Sequence, residues 1–401
     1  MLVELLAIVR ALLWRQPIWA PFWDYAKPGF LAAFLLIFLA FALSAKTPSD
    51  LRYAGNFVML ALFVPISGIF GRLADPRNFG RIALFILAGT IGSFALAVVE
   101  TVFLHQQRAY GFYSDPIWGA QATLIFGALG AAGYRAKLTP IPRALYLLSP
   151  VIATATTALT GSRGPLLAAP LLALIIVIFV GRRARIGALL ALVAVVAIGA
   201  AISIGSPALW PRFSMGMTDL RNFLTDHAVT DASAGIRLLF WHIGWQAFSA
   251  SPLFGYGWAH FLEAAYYYLP NHGLDFAKRY PSLRGNIHLH SDIVDFAVSG
   301  GLLGLAAYVL ILLAPVVAIV KSPRDSQYSA RLMGIILLAV GYLCCGLSYL
   351  MFGFEFHTTL YVAAAAFLVS YCRDAPPAPL APAAAASLER PSWFRRNRPP
   401  L

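Results

Sequence analysis

Long apolar segments dominate this chain and leave few folds open to it. Of its 401 residues, 60% are hydrophobic and 12% are charged, and that charged fraction is about half the value typical of a soluble globular domain. Apolar runs long enough to cross a bilayer recur between short loops that carry charge, proline or glycine. The sequence therefore predicts an all-α polytopic membrane protein.

Ten segments have the length and composition of membrane spans, and a helix in a long loop before the last three spans can raise the number to twelve. The ten predicted spans cover residues 29–45, 53–70, 82–104, 117–133, 143–160, 165–180, 186–205, 292–320, 332–352 and 357–372.

The distribution of basic residues predicts the orientation of these spans across the membrane. With the N-terminus in the cytoplasm, 20 of the 30 Lys and Arg residues fall on the cytoplasmic side and every cytoplasmic loop carries at least three. The formal charge of +13 is therefore explained by orientation in a membrane, in contact with its lipids. We reject nucleic-acid binding, since no soluble domain gathers these charges on one face.

The chain then divides into five parts. In order they are an N-terminal cytoplasmic or interfacial segment (1–28) without a cleavable signal peptide, transmembrane helices (29–205), a periplasmic loop (206–291), C-terminal transmembrane helices (292–372) and a disordered cytoplasmic tail (373–401). The loop should contain a helix over about 234–250 that ends at Ser251-Pro252. Trp241 and Trp245 would share one face of it, as an interface contact or a sugar-stacking platform.

Two histidines end the long loop and are the candidates for acid–base chemistry. His290 is followed by Ser291 and Asp292 at the start of an apolar helix, whose positive end favours a neutral imidazole that can accept a proton. His288 is the second candidate, and Asp292 and Asp295 are placed to orient the ring. The alternatives are interfacial histidines without a role, or a metal site formed by His288, His290 and Asp292, for which the usual further histidine is missing.

Two arginines on the same predicted side are candidates for binding phosphate. Arg163 lies in a short external loop between two glycines, and Pro165 suits the first turn of the next helix. The N-terminus of that helix would supply backbone donors for a phosphate beside the guanidinium. Arg237 lies near the start of the predicted loop helix. The alternatives are an arginine that snorkels to lipid headgroups for Arg163 and an ordinary solvated helix residue for Arg237.

Several phosphate-handling or metal-dependent chemistries lack their motifs. The chain has no Gly-x-x-x-x-Gly-Lys loop and no His-Glu-x-x-His helix, and its external loops have no Asp-x-Asp pair for a nucleotide-bound cation. An enzyme that uses an external lipid-pyrophosphate donor needs no nucleotide, and arginines can replace the cation. We therefore expect neither a cofactor nor a metal.

The ordered motifs resemble those of the O-antigen ligase family, which is related to O-antigen polymerases and bacterial O-linked oligosaccharyltransferases. The matching motifs are Ser162-Arg163-Gly164, then Arg237-Leu-x-x-Trp241 with Pro252-Leu-x-Gly255-x-Gly257, then His290-Ser291 with Gly300-x-x-Gly304-Leu305. The family usually has asparagine after the key histidine and a small residue at the position of Pro165. Ser291 therefore leaves the choice between His288 and His290 open.

The resemblance implies a metal-independent, inverting glycosyltransferase at the periplasmic face. It would move a polysaccharide from undecaprenyl pyrophosphate to a sugar hydroxyl of lipid A–core, with a histidine as base and Arg163 and Arg237 on the pyrophosphate. An O-antigen polymerase or an O-linked protein oligosaccharyltransferase would use the same parts. A secondary transporter is the alternative of another class, and it would require paired broken helices and a charged site in the middle of the membrane.

Overall fold

The computed structural model describes residues 25–181, 233–269 and 288–373, together with isolated positions between these ranges. The predicted span 186–205, most of the N-terminal segment, the tail after residue 373 and part of the long loop lie outside the described residues. Within the described ranges every regular element is helical, as the sequence predicts.

Twelve α-helices are labelled in chain order, and short 3₁₀ or π turns extend several of them. They are α1 (Ala26–Ser44), α2 (Val58–Arg72), α3 (Arg77–Val98), α4 (Pro116–Gly130), α5 (Leu148–Leu159), α6 (Arg163–Leu166), α7 (Ala169–Phe179), α8 (Ser233–Ala250), α9 (Phe261–Tyr266), α10 (Asp292–Lys321), α11 (Tyr328–Gly346) and α12 (Glu355–Ala366).

Five helical stretches of the described chain are long and apolar enough to cross a membrane. They are Ala26–Ser44, Pro48–Arg72, Arg77–Phe103, Asp292–Lys321 and Tyr328–Gly346, which confirms five of the predicted spans with shifts at their ends. The predicted spans 117–133, 143–160 and 357–372 are also helical, but each is a shorter α-helix joined to a 3₁₀ or π turn.

One predicted span is broken, and one of the confirmed spans is shorter than predicted. The span predicted over 165–180 is broken between α6 and α7. In a continuous helix Pro170 would have no N–H for the carbonyl of Leu166 and its ring would collide with that carbonyl, so Pro170 instead lies in the first turn of α7. The span predicted over 332–352 ends at Gly346. Residues 347–354 instead form a loop between α11 and α12, which we call the 347–354 loop.

Helix α10 is broken at Gly301, whose φ of 59° and ψ of −145° are not helical. The segment from Pro252 to Gly257 packs into this break through backbone hydrogen bonds: Leu302 N donates to Pro252 O over 2.8 Å, and Gly257 N donates to Ser299 O over 2.8 Å. A β-carbon on Gly255 would overlap the backbone of Val298 and Ser299. The two glycine motifs of the sequence therefore meet, because only glycine lets the backbones approach so closely.

Hydrogen bonds between distant loops fall into two groups at opposite ends of the bundle. At one end, the loop after α2 joins the π turn that follows α12, where Asp75 N donates to Tyr371 O over 3.3 Å, and Gln327 donates to Pro76 O over 3.0 Å. At the other end, Asp50 meets the ring of His260 at 3.1 Å. Each group joins loops that the charge pattern puts on one side. Which side faces the periplasm remains a prediction.

Candidate functional site

The turn that carries Arg163 is held by a neighbouring arginine. Helix α5 ends at Leu159, Gly161 has a φ of 67°, and α6 begins at Arg163. Arg108 donates from Nε to Thr160 O over 2.8 Å and from Nη2 to Ser162 Oγ over 3.0 Å. Because α6 has only four residues, its dipole is small, so an anion here would be bound by guanidinium groups rather than by the helix N-terminus that the sequence predicts.

Arg237 lies on α8, which runs from Ser233 to Ala250 as the sequence predicts. Its Nε donates to the carbonyl oxygen of Ser348 over 2.9 Å. Burial and then the positive charge of Arg163 lower the pKa of Arg237. Ser348 also packs against Gly164, so the segments of the two arginines, 74 positions apart in the sequence, meet at this residue. An anion bound by both guanidinium groups would offset their repulsion.

His288 and His290 lie in the short loop before α10, with ring centroids 4.4 Å apart. The ring of His290 stacks on Phe240 at 5.7 Å with an interplanar angle of 8°. His290 has a φ of 57°, which is uncommon for a residue with a side chain and is typical of functional loops. The sequence places both histidines near the helix start, but the contact of His290 with α8 is a tertiary feature.

The two imidazoles differ in what their nitrogens do. The Nδ1 atom of His288 accepts a hydrogen bond from the backbone N–H of His290 over 3.0 Å, so a neutral His288 carries its proton on Nε2. The Nδ1 atom of His290 is buried and has no partner within the described chain. His290 is thus the imidazole whose Nδ1 lone pair is not already used.

Burial and nearby positive charge keep both rings neutral. Burial, and then the charge of Arg237, lower the pKa of His290 to about 4. For His288, burial, His290 and Arg237 together hold the pKa well below its usual value. A neutral imidazole can accept a proton, and an anion bound at Arg237 would raise the basicity of His290.

The acidic residues in the first turn of α10 accept hydrogen bonds from backbone N–H groups and make no hydrogen bond to the histidine rings within the described chain. Asp292 Oδ1 accepts from Met351 N over 2.7 Å and from Phe352 N over 3.1 Å, and Asp295 Oδ1 accepts from Leu289 N over 2.8 Å. The expected ring contact is therefore replaced by two loop anchors. No cluster of three His, Cys, Asp or Glu side chains suited to a metal occurs among the described residues.

The two tryptophans lie on an exposed face of α8, with Trp241 38% and Trp245 66% exposed. The rings that contact the histidines include Phe240, Tyr349 and Phe354. Neither tryptophan is among the rings in contact with a histidine in the described chain. The proposed sugar-stacking role for this pair therefore remains a prediction about the rim of the site.

The 347–354 loop, which the apolar pattern does not predict, contacts the site through Ser348 and Tyr349. The Tyr349 ring lies 4.5 Å from His288 and 5.4 Å from His290 between centroids. Its hydroxyl donates to Asp115 Oδ2 over 3.3 Å, and burial raises its pKa to about 12, so the phenol stays protonated. The available signal was a serine and a tyrosine at the end of an apolar span, on the side that carries both arginines.

Residues 148–309 match the family model described as O-antigen ligase. This match covers 162 of the 401 residues and runs from the start of α5 into the second half of α10. It includes both arginines and both histidines of the candidate site, and it excludes Tyr349. A search of curated proteins gives no match to this chain. The chain is thus a multi-pass membrane protein whose residues 148–309, which contain the motifs, are similar to the O-antigen ligase family.

Proposed function

We propose that this protein is an O-antigen ligase, an inverting glycosyltransferase that acts at the periplasmic face of the bacterial inner membrane. It transfers a polysaccharide from undecaprenyl pyrophosphate to a sugar hydroxyl of lipid A–core. The similarity of residues 148–309 to this family supports glycosyl transfer in general. The choice of donor and acceptor rests on the chemistry of the side chains at the site.

The observation that carries this proposal is that Arg237 lies close to the turn of Arg163 and to His290. Arg237 Nε and Gly164 both contact Ser348, and Phe240, three positions after Arg237 on α8, stacks on the ring of His290. A pyrophosphate bound by the two guanidinium groups would thus lie beside a neutral ring that can take a proton. Guanidinium groups suit this role because they stay charged and grip two phosphate oxygens at once.

The reaction balances without a metal or a nucleotide. The acceptor hydroxyl oxygen attacks the anomeric carbon of the donor sugar, and the bond from that carbon to the pyrophosphate oxygen breaks on the opposite face, which inverts the configuration. The hydroxyl proton passes to His290, and undecaprenyl pyrophosphate leaves with the bonding electron pair. Arg163 and Arg237 offset the negative charge that grows on the leaving group.

His290 is a better base than His288 in this scheme. The Nδ1 atom of His288 already accepts the N–H of His290, whereas Nδ1 of His290 has no partner among the described residues. The pKa of about 4 for His290 is low for a base. Bound pyrophosphate would raise it by neutralising the charge of Arg237, towards the range in which general bases work well.

Two related transfer reactions would use the same site residues, whereas a transporter would need a different kind of site. An O-antigen polymerase or an O-linked protein oligosaccharyltransferase differs only in the acceptor. A secondary transporter would need broken helices that bind an ion at mid-membrane. The break in α10 instead has hydrogen bonds to the Pro252–Gly257 segment, which argues against a cargo site there.

The decisive experiment offers purified protein one lipid-linked glycan donor and three separate acceptors. The acceptors are lipid A–core, free lipid-linked repeat unit and an acceptor protein, and the products are separated on gels and by mass spectrometry. We expect transfer to lipid A–core alone. Transfer only to the repeat unit would make the protein a polymerase, and transfer to none of the three would refute the proposed reaction.

A further inference from the structure

The 347–354 loop touches each of the three segments that carry the proposed site residues. The carbonyl oxygen of Ser348 accepts from Arg237 Nε over 2.9 Å. A β-carbon on Gly164 would overlap Ser348 Oγ, so the turn that carries Arg163 packs directly on Ser348. The next residue, Tyr349, contacts the rings of both histidines. One dipeptide thus joins the phosphate-binding arginines to the base.

This dipeptide is itself anchored on both sides. The Tyr349 hydroxyl donates to Asp115 Oδ2 over 3.3 Å, and Asp115 Oδ1 caps α4 by accepting from Ile117 N over 2.6 Å. After the dipeptide, Asp292 at the start of α10 holds the N–H groups of Met351 and Phe352. Gly346, before it, packs so closely on Asp292 that a β-carbon there would overlap the carboxylate. These anchors fix the dipeptide relative to α4 and α10.

We propose that Ser348 and Tyr349 form the positioning element of the active site and set the separation between the base and the pyrophosphate-binding arginines. This inference rests on the proposed function. Tyr349 acts through the histidines rather than on the reacting atoms, so it is a positioning residue. Its importance follows from the steep dependence of rate on geometry, since a misplacement of about 1 Å can cost about 100-fold in rate.

The test compares two replacements of Tyr349 with a matched tyrosine elsewhere. Tyr349→Phe keeps the ring but loses the hydrogen bond to Asp115, and Tyr349→Leu loses both. The control is Tyr146→Phe, which removes a buried hydrogen bond to Gly80 O of 2.9 Å at the opposite end of the bundle. The assay measures kcat and the donor KM of the purified full-length protein in lipid nanodiscs.

We expect kcat to fall about 10-fold in Tyr349→Phe and about 100-fold in Tyr349→Leu. The donor KM should change less than about threefold, since the backbone carbonyl of Ser348 still holds Arg237. Tyr146→Phe should match the wild type. A wild-type kcat in Tyr349→Leu, a rise in KM at constant kcat, or equal losses in the two Tyr→Phe variants would overturn the inference.

A second readout separates this inference from the proposed function. If the wild type transfers no glycan, the proposed function fails, and amide hydrogen exchange at Leu289 and His290 then tests the positioning role. We expect faster exchange in Tyr349→Leu and unchanged exchange in Tyr146→Phe. Unchanged protection in Tyr349→Leu would refute the positioning role.

The contact between Ser348 and the arginine turn has its own test. Gly164→Ala places a methyl group against Ser348 Oγ, so the turn must shift and donor binding should weaken. Ser348→Ala removes that oxygen and leaves its β-carbon 3.1 Å from the added methyl group. The double variant should therefore bind donor better than Gly164→Ala alone, and failure to recover would contradict the packing.

Discussion

Substitutions of the two histidines should have different effects, because only in His288 does the Nδ1 atom have a hydrogen-bond partner among the described residues. In His288 the ring accepts the N–H of the residue two positions later over 3.0 Å. Asparagine side chains make this same contact in Asx turns. His288→Asn should therefore keep the loop and lose only the imidazole, whereas His288→Ala leaves the N–H of His290 without its acceptor.

The magnitudes follow from these roles. Loss of a general base costs about 10²–10⁴-fold in rate, or about 2.7–5.5 kcal/mol of transition-state stabilisation. We expect this loss in both His290→Ala and His290→Asn. Asparagine is a particularly useful replacement at His290, because it tolerates the φ of 57° found there. In His288→Ala, the unpartnered N–H of His290 costs about 1–3 kcal/mol of local stability. Part of this destabilisation should reach the position of the His290 ring and lower kcat by up to about 10-fold.

The assay is single-turnover glycan transfer by the four variants, with donor binding measured separately. His288→Asn should transfer at close to the wild-type rate, and His290→Asn should bind donor normally but transfer slowly. If His288→Asn is inactive while His290→Asn is active, the base is His288 and the assignment made here is wrong. If all four variants transfer at the wild-type rate, neither histidine is the base.

Four further predictions concern the charge, the ions and the orientation of the site. Arg163→Lys and Arg237→Lys should each lower kcat/KM by about 10- to 150-fold, because an ammonium loses one charge-assisted hydrogen bond worth about 1.5–3 kcal/mol; wild-type kinetics in both would exclude the proposed clamp. The pH profile of kcat/KM should rise with pH through about 4 as His290 loses its proton, and that of kcat should rise at higher pH, since bound pyrophosphate raises the pKa; coincident profiles would contradict the coupling to Arg237. Transfer should persist in excess chelator, and a loss that one divalent metal restores would reassign His288, His290 and Asp292 to a metal site. A cysteine at Ser162 should react with an impermeant thiol reagent added from the periplasmic side, and reaction only after permeabilisation would reverse the topology.

Hydropathy and charge were sufficient for the general architecture. The prediction of the span 292–320 agrees with the helix almost to the residue. A membrane helix forms all its backbone hydrogen bonds within itself, and its apolar composition alone indicates that it lies in lipid. The loop helix was predicted for the same local reason, from a polar start and Ser251-Pro252 at its end. The candidate arginines and histidines could also be chosen locally, since charge is rare in such a chain.

The breaks in the helices could not be predicted in this way. Gly301 interrupts α10 because the Pro252–Gly257 segment satisfies the backbone groups released there, and that segment lies more than 40 positions earlier in the chain. The early end of α11 has a similar cause, since Asp292 binds the N–H groups of Met351 and Phe352. Residues 332–352 are apolar apart from Ser348 and the tyrosines, and their composition carries no sign of this competition.

The sequence by itself determined a bundle of apolar helices, the side on which its charges gather and the residue types available for chemistry. Only the tertiary structure decided which of them meet: Arg163 with Arg237, His290 with Phe240, and Tyr349 with both histidines. The physical reason is the sequence separation of the interactions. The apolar composition that places a helix in a membrane is a local property of that helix, whereas the site is formed by contacts between segments that are far apart in the sequence.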